Sequence, residues 1–343
     1  MSVTQTLTQD NTPATPIGKL SVYFCGGTGV NLKDRLTATS AAFNRKGMAE
    51  MTSYVIDTSE SNLTSGVRDN VYIYKGLDGF GKKRDEDPAA VKKKIPEILA
   101  NFIPQEFNIV VSSISGGSGS VIAPFIVREL IGQGKNVILL GVVSTDTDTE
   151  IKNTTKTLGN LETIAQSTER PVVIRTYLNP SNGNQSEVDE SVVHDILKLA
   201  MLFSRRNARL DQSDLRNWLN YNRLVEAPVK LVSLLTFASS DKEAARSIVE
   251  EGLIPISVAT VAPPNTSTRT PWSVGYQATG YVSPTGAGDL DSAVHFTIVD
   301  GQIAKLHAQL STELQRLNAT ASGTSFAKPI PVDRNDGMND MFA

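Results

Sequence analysis

The sequence predicts an α/β protein: a parallel-sheet domain, a long central helix and a smaller α+β domain after it. Three observations carry this expectation. Up to about residue 180, short apolar runs alternate with longer helix-like segments, the pattern of parallel strands joined by right-handed crossovers. Residues 187–203 then place Val188, Val192, Ile196, Leu199 and Phe203 on one helical stripe, which Val193, Leu197 and Ala200 widen. A helix buried on more than one side suits a connection between two units. Finally, 343 residues exceed what one core usually holds, since single cores stop growing near about 250–300 residues.

Residues 19–25 (KLSVYFC) open the sheet as a buried strand, followed by the glycine turn Gly26-Gly27-Thr28-Gly29-Val30-Asn31 and a helix. Residues 52–57 (TSYVID) form a second strand that ends on a carboxylate, and 71–74 form a short third. A Gly-rich, charged loop covers 75–87; its Lys82-Lys83-Arg84-Asp85-Glu86-Asp87 run compensates itself and reads as a solvated face. A helix spans 88–101, with Asp87 as N-cap, Pro88 in the first turn and a kink at Pro96. The apolar strand 108–114 leads into Ser115-Gly116-Gly117-Ser118-Gly119-Ser120 and a helix over 121–130. Buried strands at 136–143 and 171–177 flank a helix at 153–166.

After the central helix, strands fall at 229–237, 256–261, 273–282 and 294–299, with a long helix at 302–318. Ser240-Asp241-Lys242-Glu243 fits a capping box for a further short helix. The expected layout is therefore an N-terminal extension (1–18), a ligand-binding domain (19–186), the central helix (187–205), a second domain (206–322) and an extended acidic tail (323–343).

Composition narrows the function. Charged residues make up 20% of the chain, with a net charge of −3, so overall charge implies no nucleic-acid partner. There is no run of about 18 apolar residues that would suit a membrane span. One cysteine, Cys25, allows no internal disulfide and reads as a small buried residue. The first 16 residues are polar, Thr-rich and poor in positive charge, unlike a signal or transit peptide. His194, His295 and His307 lack metal-ligand spacing, and His194, on the central helix, reads as a packing residue. The stretch 116–120 nearly offers the G-x-S-x-G nucleophile elbow, but Ser120 stands where glycine is required.

The two glycine loops are the strongest functional signal. Each follows a strand and opens a helix, where close backbone approach and free N–H groups favour a phosphate. Ser118, Ser120 and Thr28 add hydroxyl donors. Neither loop fits the P-loop, which needs a lysine, or G-x-G-x-x-G. GGTGVN and SGGSGS, about 90 residues apart, resemble the first and fourth phosphate loops of the tubulin/FtsZ superfamily. That family's fourth loop reads G-G-G-[TS]-G-[ST]-G; here Ser115 replaces its first glycine and Val121 its last, while the four central positions remain. These departures, the length and the tail are similar to phage-encoded tubulins of the PhuZ type.

The resemblance implies a GTPase that polymerises head to tail. GTP or GDP would lie on Gly26, Gly27, Thr28, Gly29, Asn31, Gly116, Gly117, Ser118, Gly119 and Ser120, with Mg²⁺ held through phosphates and water. Asp57 resembles the second family loop, near ribose or phosphates, although an ordinary strand-ending turn would look the same. Gly76 to Gly81 and Asp146 to Asp148 resemble the third and fifth loops. Asn179 and Asp189 stand where the family reads guanine; the alternatives are a turn asparagine before Pro180 and an acid facing the helix dipole. Asp211 and Asp214 match the carboxylates of the family's N-x-D-x-x-D loop, which acts on the next subunit's γ-phosphate; Arg209 replaces its asparagine. Two carboxylates three apart can orient a water, or one can simply cap the following helix.

In the family's phage members the acidic tail docks on the next subunit. Asp333, Asp336 and Asp340 alternate with Met338, Met341 and Phe342 here, with Lys305 and Arg316 as basic partners. The implied setting is the cytoplasm of an infected bacterium, where filaments position phage DNA or its replication compartment. No direct nucleic-acid or membrane partner is expected. Two other readings remain: a plasmid-type partition filament with a DNA adaptor, and an oxidoreductase using GGTGVN as a dinucleotide turn.

Overall fold

The computed structural model describes residues 17–42, 47–64, 66–76, 88–179, 184–283 and 290–322, without the side chains of 41, 42, 321 and 322. Most of the 75–87 loop with Asp87, the Pro180 turn and the 323–343 tail lie outside the described residues. Among the described residues ten strands form one sheet: β1 (Lys19–Cys25), β2 (Glu50–Asp57), β3 (Val71–Ile73), β4 (Phe107–Ser113), β5 (Asn136–Ser144), β6 (Val172–Asn179), β7 (Leu231–Ala238), β8 (Ile254–Ala262), β9 (Tyr276–Tyr281) and β10 (Val294–Asp300). Their order is β3-β2-β1-β4-β5-β6-β7-β10-β8-β9. The chain is parallel from β3 to β7, and β10 is antiparallel to both its neighbours.

The parallel strands are buried on both faces and read as near-continuous apolar runs. Alternate residues feed two cores. Leu20, Val22 and Phe24 pack with α1 (Gly26–Ala42), α5 (Gln185–Leu202) and α6 (Gln212–Leu219). Tyr23 and Cys25 pack on the other face with α2 (Pro88–Asn101), α3 (Ser118–Gly132), α4 (Asp148–Thr168) and α8 (Gln302–Ser322). The smaller unit does not form a sheet of its own. Its first strand joins the larger one, with Val172, Val173 and Ile174 paired to Leu231, Val232 and Ser233.

The central helix α5 is tied to both halves. Asp195, almost fully buried, pairs with Arg175 of β6 and accepts from the Tyr177 hydroxyl at 2.7 Å. Beyond its end, the Phe203 ring stacks 4.4 Å from Phe107 and lies 6.4 Å from Trp218, which meets Phe296 of β10 at 6.2 Å. His194 is exposed rather than buried in the core, and lines an open groove of about 230 Å³ with Arg35, Ala38, Thr39, Glu190 and Val193. Its side of α5 faces outward, past the apolar stripe.

Several helix starts differ from the sequence expectation: α3 begins at Ser118 rather than 121, within the glycine loop, and α5 at Gln185 rather than 187. α1 begins at Gly26 itself, so the glycine turn is the first turn of the helix. α4 begins at Asp148 rather than 153, through a capping box between Thr147 and Glu150. α7 (Lys242–Glu250) has no capping box: Asp241 is the N-cap, and its carboxylate accepts from Ala238 N instead.

His295 on β10 is buried, with Nδ1 2.9 Å from Thr260 Oγ1, and burial pushes its pKa down to about 4. An unfolded histidine titrates near ~6.5. Since the folded pKa is the lower one, the stabilisation is complete above pH ~6.5 and is lost as pH falls towards 4. The gap corresponds to at most about 3 kcal/mol. His295→Gln should flatten the pH dependence of unfolding free energy across that window; an unchanged slope in denaturant titrations would refute the assignment.

Candidate nucleotide-binding site

The carboxyl ends of β1, β2, β4, β5 and β6 line one end of the sheet, where open α/β sheets take ligands. There two helix starts touch. β1 runs directly into α1, and β4 reaches α3 through residues 114–117. Gly26 has φ 72°, and a Cβ on it would stand 2.7 Å from Gly119 N. A Cβ on Gly119 would stand 2.9 Å from Cys25 O. Only glycine lets these two backbones approach so closely. Neither helix has an acid in its first turn, and Gly117 supplies no side-chain cap to α3. Two sets of free N–H groups and two positive dipole ends therefore converge, which suits a multiply charged anion such as a polyphosphate.

The loop around α3 is braced from within. Ser113 Oγ accepts from Gly116 N at 3.1 Å, and Asn153 Nδ2 donates to Ser115 O and Gly116 O at 3.1 and 3.2 Å. Ser115 accounts for its own substitution: its Oγ accepts from Ser144 N at 2.7 Å and lies 2.8 Å from Thr154 Oγ1. A glycine would leave both interactions unmade. Ser120 departs from expectation. Its hydroxyl points at Gly116 O and Gly117 O, 2.6 and 2.8 Å away, so its one proton serves the loop rather than a phosphate.

Asp57 also departs from the expected ligand contact. Its carboxylate is fully buried, accepts from Thr58 N and Asn62 Nδ2 at 2.7 Å each, and burial raises its pKa above the usual carboxylate range. It fixes Thr58 and Asn62. Thr58 Oγ1 meets Ser118 Oγ at 2.5 Å, and Asn62 lies 3.1 Å from where a Gly27 Cβ would be. The sequence reading missed Thr58, Asn62 and Asn153. Thr58 carries a usable signal, since it follows a strand's carboxyl end; Asn62 and Asn153 carry none.

Asn179 closes β6 at the same sheet end, and its Oδ1 is buried without a partner among the described residues. A buried acceptor left open costs about 1–3 kcal/mol, and a ligand's N–H would satisfy it. Asp189 in α5 is half-buried; Arg35 Nε of α1 holds its Oδ2 at 3.0 Å, while burial raises its pKa against that cation. Thr28, Gly27, Gly116, Gly117 and Ser118 are half-buried at the loop mouth, and Asn31 is exposed in the second turn of α1.

Asp211 and Asp214 lie at the other end of the sheet. They open α6, whose Arg216 reaches Glu106 (3.3 Å) before β4, and whose C-cap Asn220 donates to Asn136 Oδ1 (2.9 Å) at the start of β5. β4 has seven residues, about 23 Å of strand, so one subunit cannot bring the acids to its own glycine loops. The acids form a reciprocal capping box: Asp211 Oδ1 accepts from Ser213 N and Asp214 N at 2.7 and 2.9 Å, and Asp214 Oδ2 from Asp211 N at 3.0 Å. Tyr276 OH approaches Asp214 Oδ1 at 3.2 Å. Among the described residues, Asp211 Oδ2 alone of the four carboxylate oxygens has no partner, and Asp211 is exposed. Capping and catalysis are thus compatible: three oxygens hold the loop and one faces outward.

No protein-family model matches the chain. It is 29% identical over 303 residues to a phage tubulin-like protein of Pseudomonas phage PhiPA3, covering 88% of this chain and 91% of that one. Among solved structures it is similar to the TubZ protofilament of bacteriophage PhiKZ, with TM-score 0.79 and 26% identity over 92% of this chain and 96% of the other. The phage tubulin PhuZ, solved with GDP, shares the fold at TM-score 0.79 and 24% identity, over the same shares of both chains.

Proposed function

Because the chain belongs to the tubulin/FtsZ superfamily and matches phage tubulins over nearly its whole length, we propose that it is a GTPase that polymerises head to tail and hydrolyses GTP at the contact between subunits. The observation that supports this reading is that the glycine loops lie at one end of the sheet and Asp211 and Asp214 at the other. Stacking one subunit on the next brings Asp211 and Asp214 to the neighbour's glycine loops. Such a contact is heterologous and repeats without closing.

Gly26, Gly27, Thr28, Gly29, Gly116, Gly117, Ser118 and Gly119 hold the phosphates, chiefly through backbone N–H groups. Asn179 reads the base through its unpaired oxygen. A Mg²⁺ ion that accompanies the nucleotide rests on phosphate oxygens and water, and screens phosphate charge. The filament works in the cytoplasm of an infected bacterium and positions phage DNA or the compartment that replicates it. The 323–343 tail docks on the neighbouring subunit; Lys305 and Arg316, its suggested partners, are paired within the subunit to Glu251 and Glu313, so docking exchanges existing pairs.

Nucleotide competition tests the ligand. GTP and GDP should displace a labelled guanine nucleotide, while ATP and NAD should not. Asn179→Leu keeps the volume and removes the acceptor, so the preference for GTP over ATP should fall at least about tenfold. NAD binding at the site, or an unchanged preference in the variant, would contradict the assignment.

A further inference from the structure

The loop that carries Asp211 also carries Arg205, Arg206 and Arg209, all exposed. Arg209 differs from an ordinary surface arginine in two ways. Its backbone is at φ 63°, in the left-handed region that glycine and asparagine enter at least cost. The loop cannot relax around it. Ala208 is bridged to Tyr281 of β9 through N–H···O bonds of 2.8 and 3.0 Å, Leu210 is buried against Gly280, and Asp211 caps α6. Strain kept at an over-determined position points to a use for the side chain there.

The second difference is electrostatic. Among the described residues the Arg209 guanidinium has no carboxylate partner, although Asp211 is two residues away. It rests over the Tyr281 ring, 5.8 Å from the centroid. An exposed cation–π contact is weak and easily exchanged. An arginine at a left-handed position, without a carboxylate partner among the described residues and two residues from the unpartnered Asp211 Oδ2, is arranged for an anion that arrives with another molecule.

The geometry points to Arg209 as a catalytic residue that leaves the Tyr281 ring and contacts the terminal phosphate of GTP on the neighbouring subunit. The inference rests on the proposed head-to-tail GTPase. A water oxygen bonds to the γ-phosphorus, and the bond from that phosphorus to the β–γ bridging oxygen breaks with its electron pair on GDP. One proton of the water leaves to solvent by way of Asp211 Oδ2. Arg209 stabilises the charge on the transferred oxygens, as cations supplied by a partner do in phosphoryl transfer.

Arg209→Asn removes the cation and suits the left-handed backbone. Its unfolding midpoint and GTP affinity should match wild type, and its critical concentration should be no higher. Phosphate release per sedimented subunit should fall at least about tenfold, and Arg209→Lys should lie between. A merely structural role would instead lower the midpoint or raise the critical concentration and leave turnover per polymerised subunit intact. Turnover within about twofold of wild type in assembled Arg209→Asn would overturn the inference. If the variant does not assemble alone, copolymers with wild type decide: turnover per subunit should fall with the variant's fraction, and independence from it is the contrary result. Wild-type turnover that does not rise with assembly would count against the GTPase reading itself and not against Arg209 in particular.

Discussion

Asp211→Asn is expected to leave a folded protein that binds GTP and forms filaments, with phosphate release reduced about 10²–10⁴-fold, the usual contribution of a positioned acid or base. The choice of asparagine follows from the structure. Asp211 Oδ1 caps α6 through Ser213 N and Asp214 N, and asparagine caps as well as aspartate does. The variant therefore keeps the loop and removes the charge on the unpartnered Oδ2. Asp211→Ala removes both, and should add a loss of about 1 kcal/mol in stability. Asp214→Asn should cost less turnover, because both its oxygens already serve Asp211 N and Tyr276. Filaments of Asp211→Asn should persist after wild-type filaments have shortened. Near-normal phosphate release by sedimented Asp211→Asn would remove Asp211 from the chemistry.

Gly26→Ala should abolish productive nucleotide binding. The added methyl would sit 2.7 Å from Gly119 N, backbone against backbone, at φ 72°. The left-handed backbone alone costs about 1–2 kcal/mol. The overlap must also push the start of α1 away from the start of α3, which separates the two sets of N–H groups. Gly134→Ala supplies the control, since Gly134 has φ 74° and nothing within 4 Å of its Cβ. Both variants share the backbone strain, and only Gly26→Ala has the clash. GTP affinity should drop more than about thirtyfold in Gly26→Ala, beyond the roughly 2 kcal/mol that strain alone explains, and stay unchanged in Gly134→Ala. Equal affinity in the two variants would mean that the loops do not form one phosphate site.

Much of this was legible in the sequence because it depends on local chemistry. Apolar runs located the parallel strands within a few residues, and the glycine loops marked both helix starts at the ligand end. Asn179 and the 211–214 carboxylates stand out through the family resemblance alone. What the sequence could not give was which of several equal local patterns the packing selects. Ser240–Glu243, Thr147–Glu150 and Asp211–Asp214 all offer a capping pattern; only the last two close it, while Asp241 turns back to Ala238 N. Burial decided the rest. Asp57 has the chemistry to meet a ribose hydroxyl or a Mg²⁺ water, and Ser120 a phosphate, but Asn62, Thr58 N and the loop carbonyls consume it. The union of both halves in one sheet rests on three residue pairs between β6 and β7, a long-range pairing that no local signal announces.

The central claim is that one subunit completes the GTPase of the next. Light scattering and phosphate release, followed together after GTP addition across a series of protein concentrations, test it most directly. Both signals should appear above the same threshold concentration, with little phosphate released below it. Phosphate release proportional to protein through and below the threshold would mean that a single subunit hydrolyses GTP unaided, and would contradict the account.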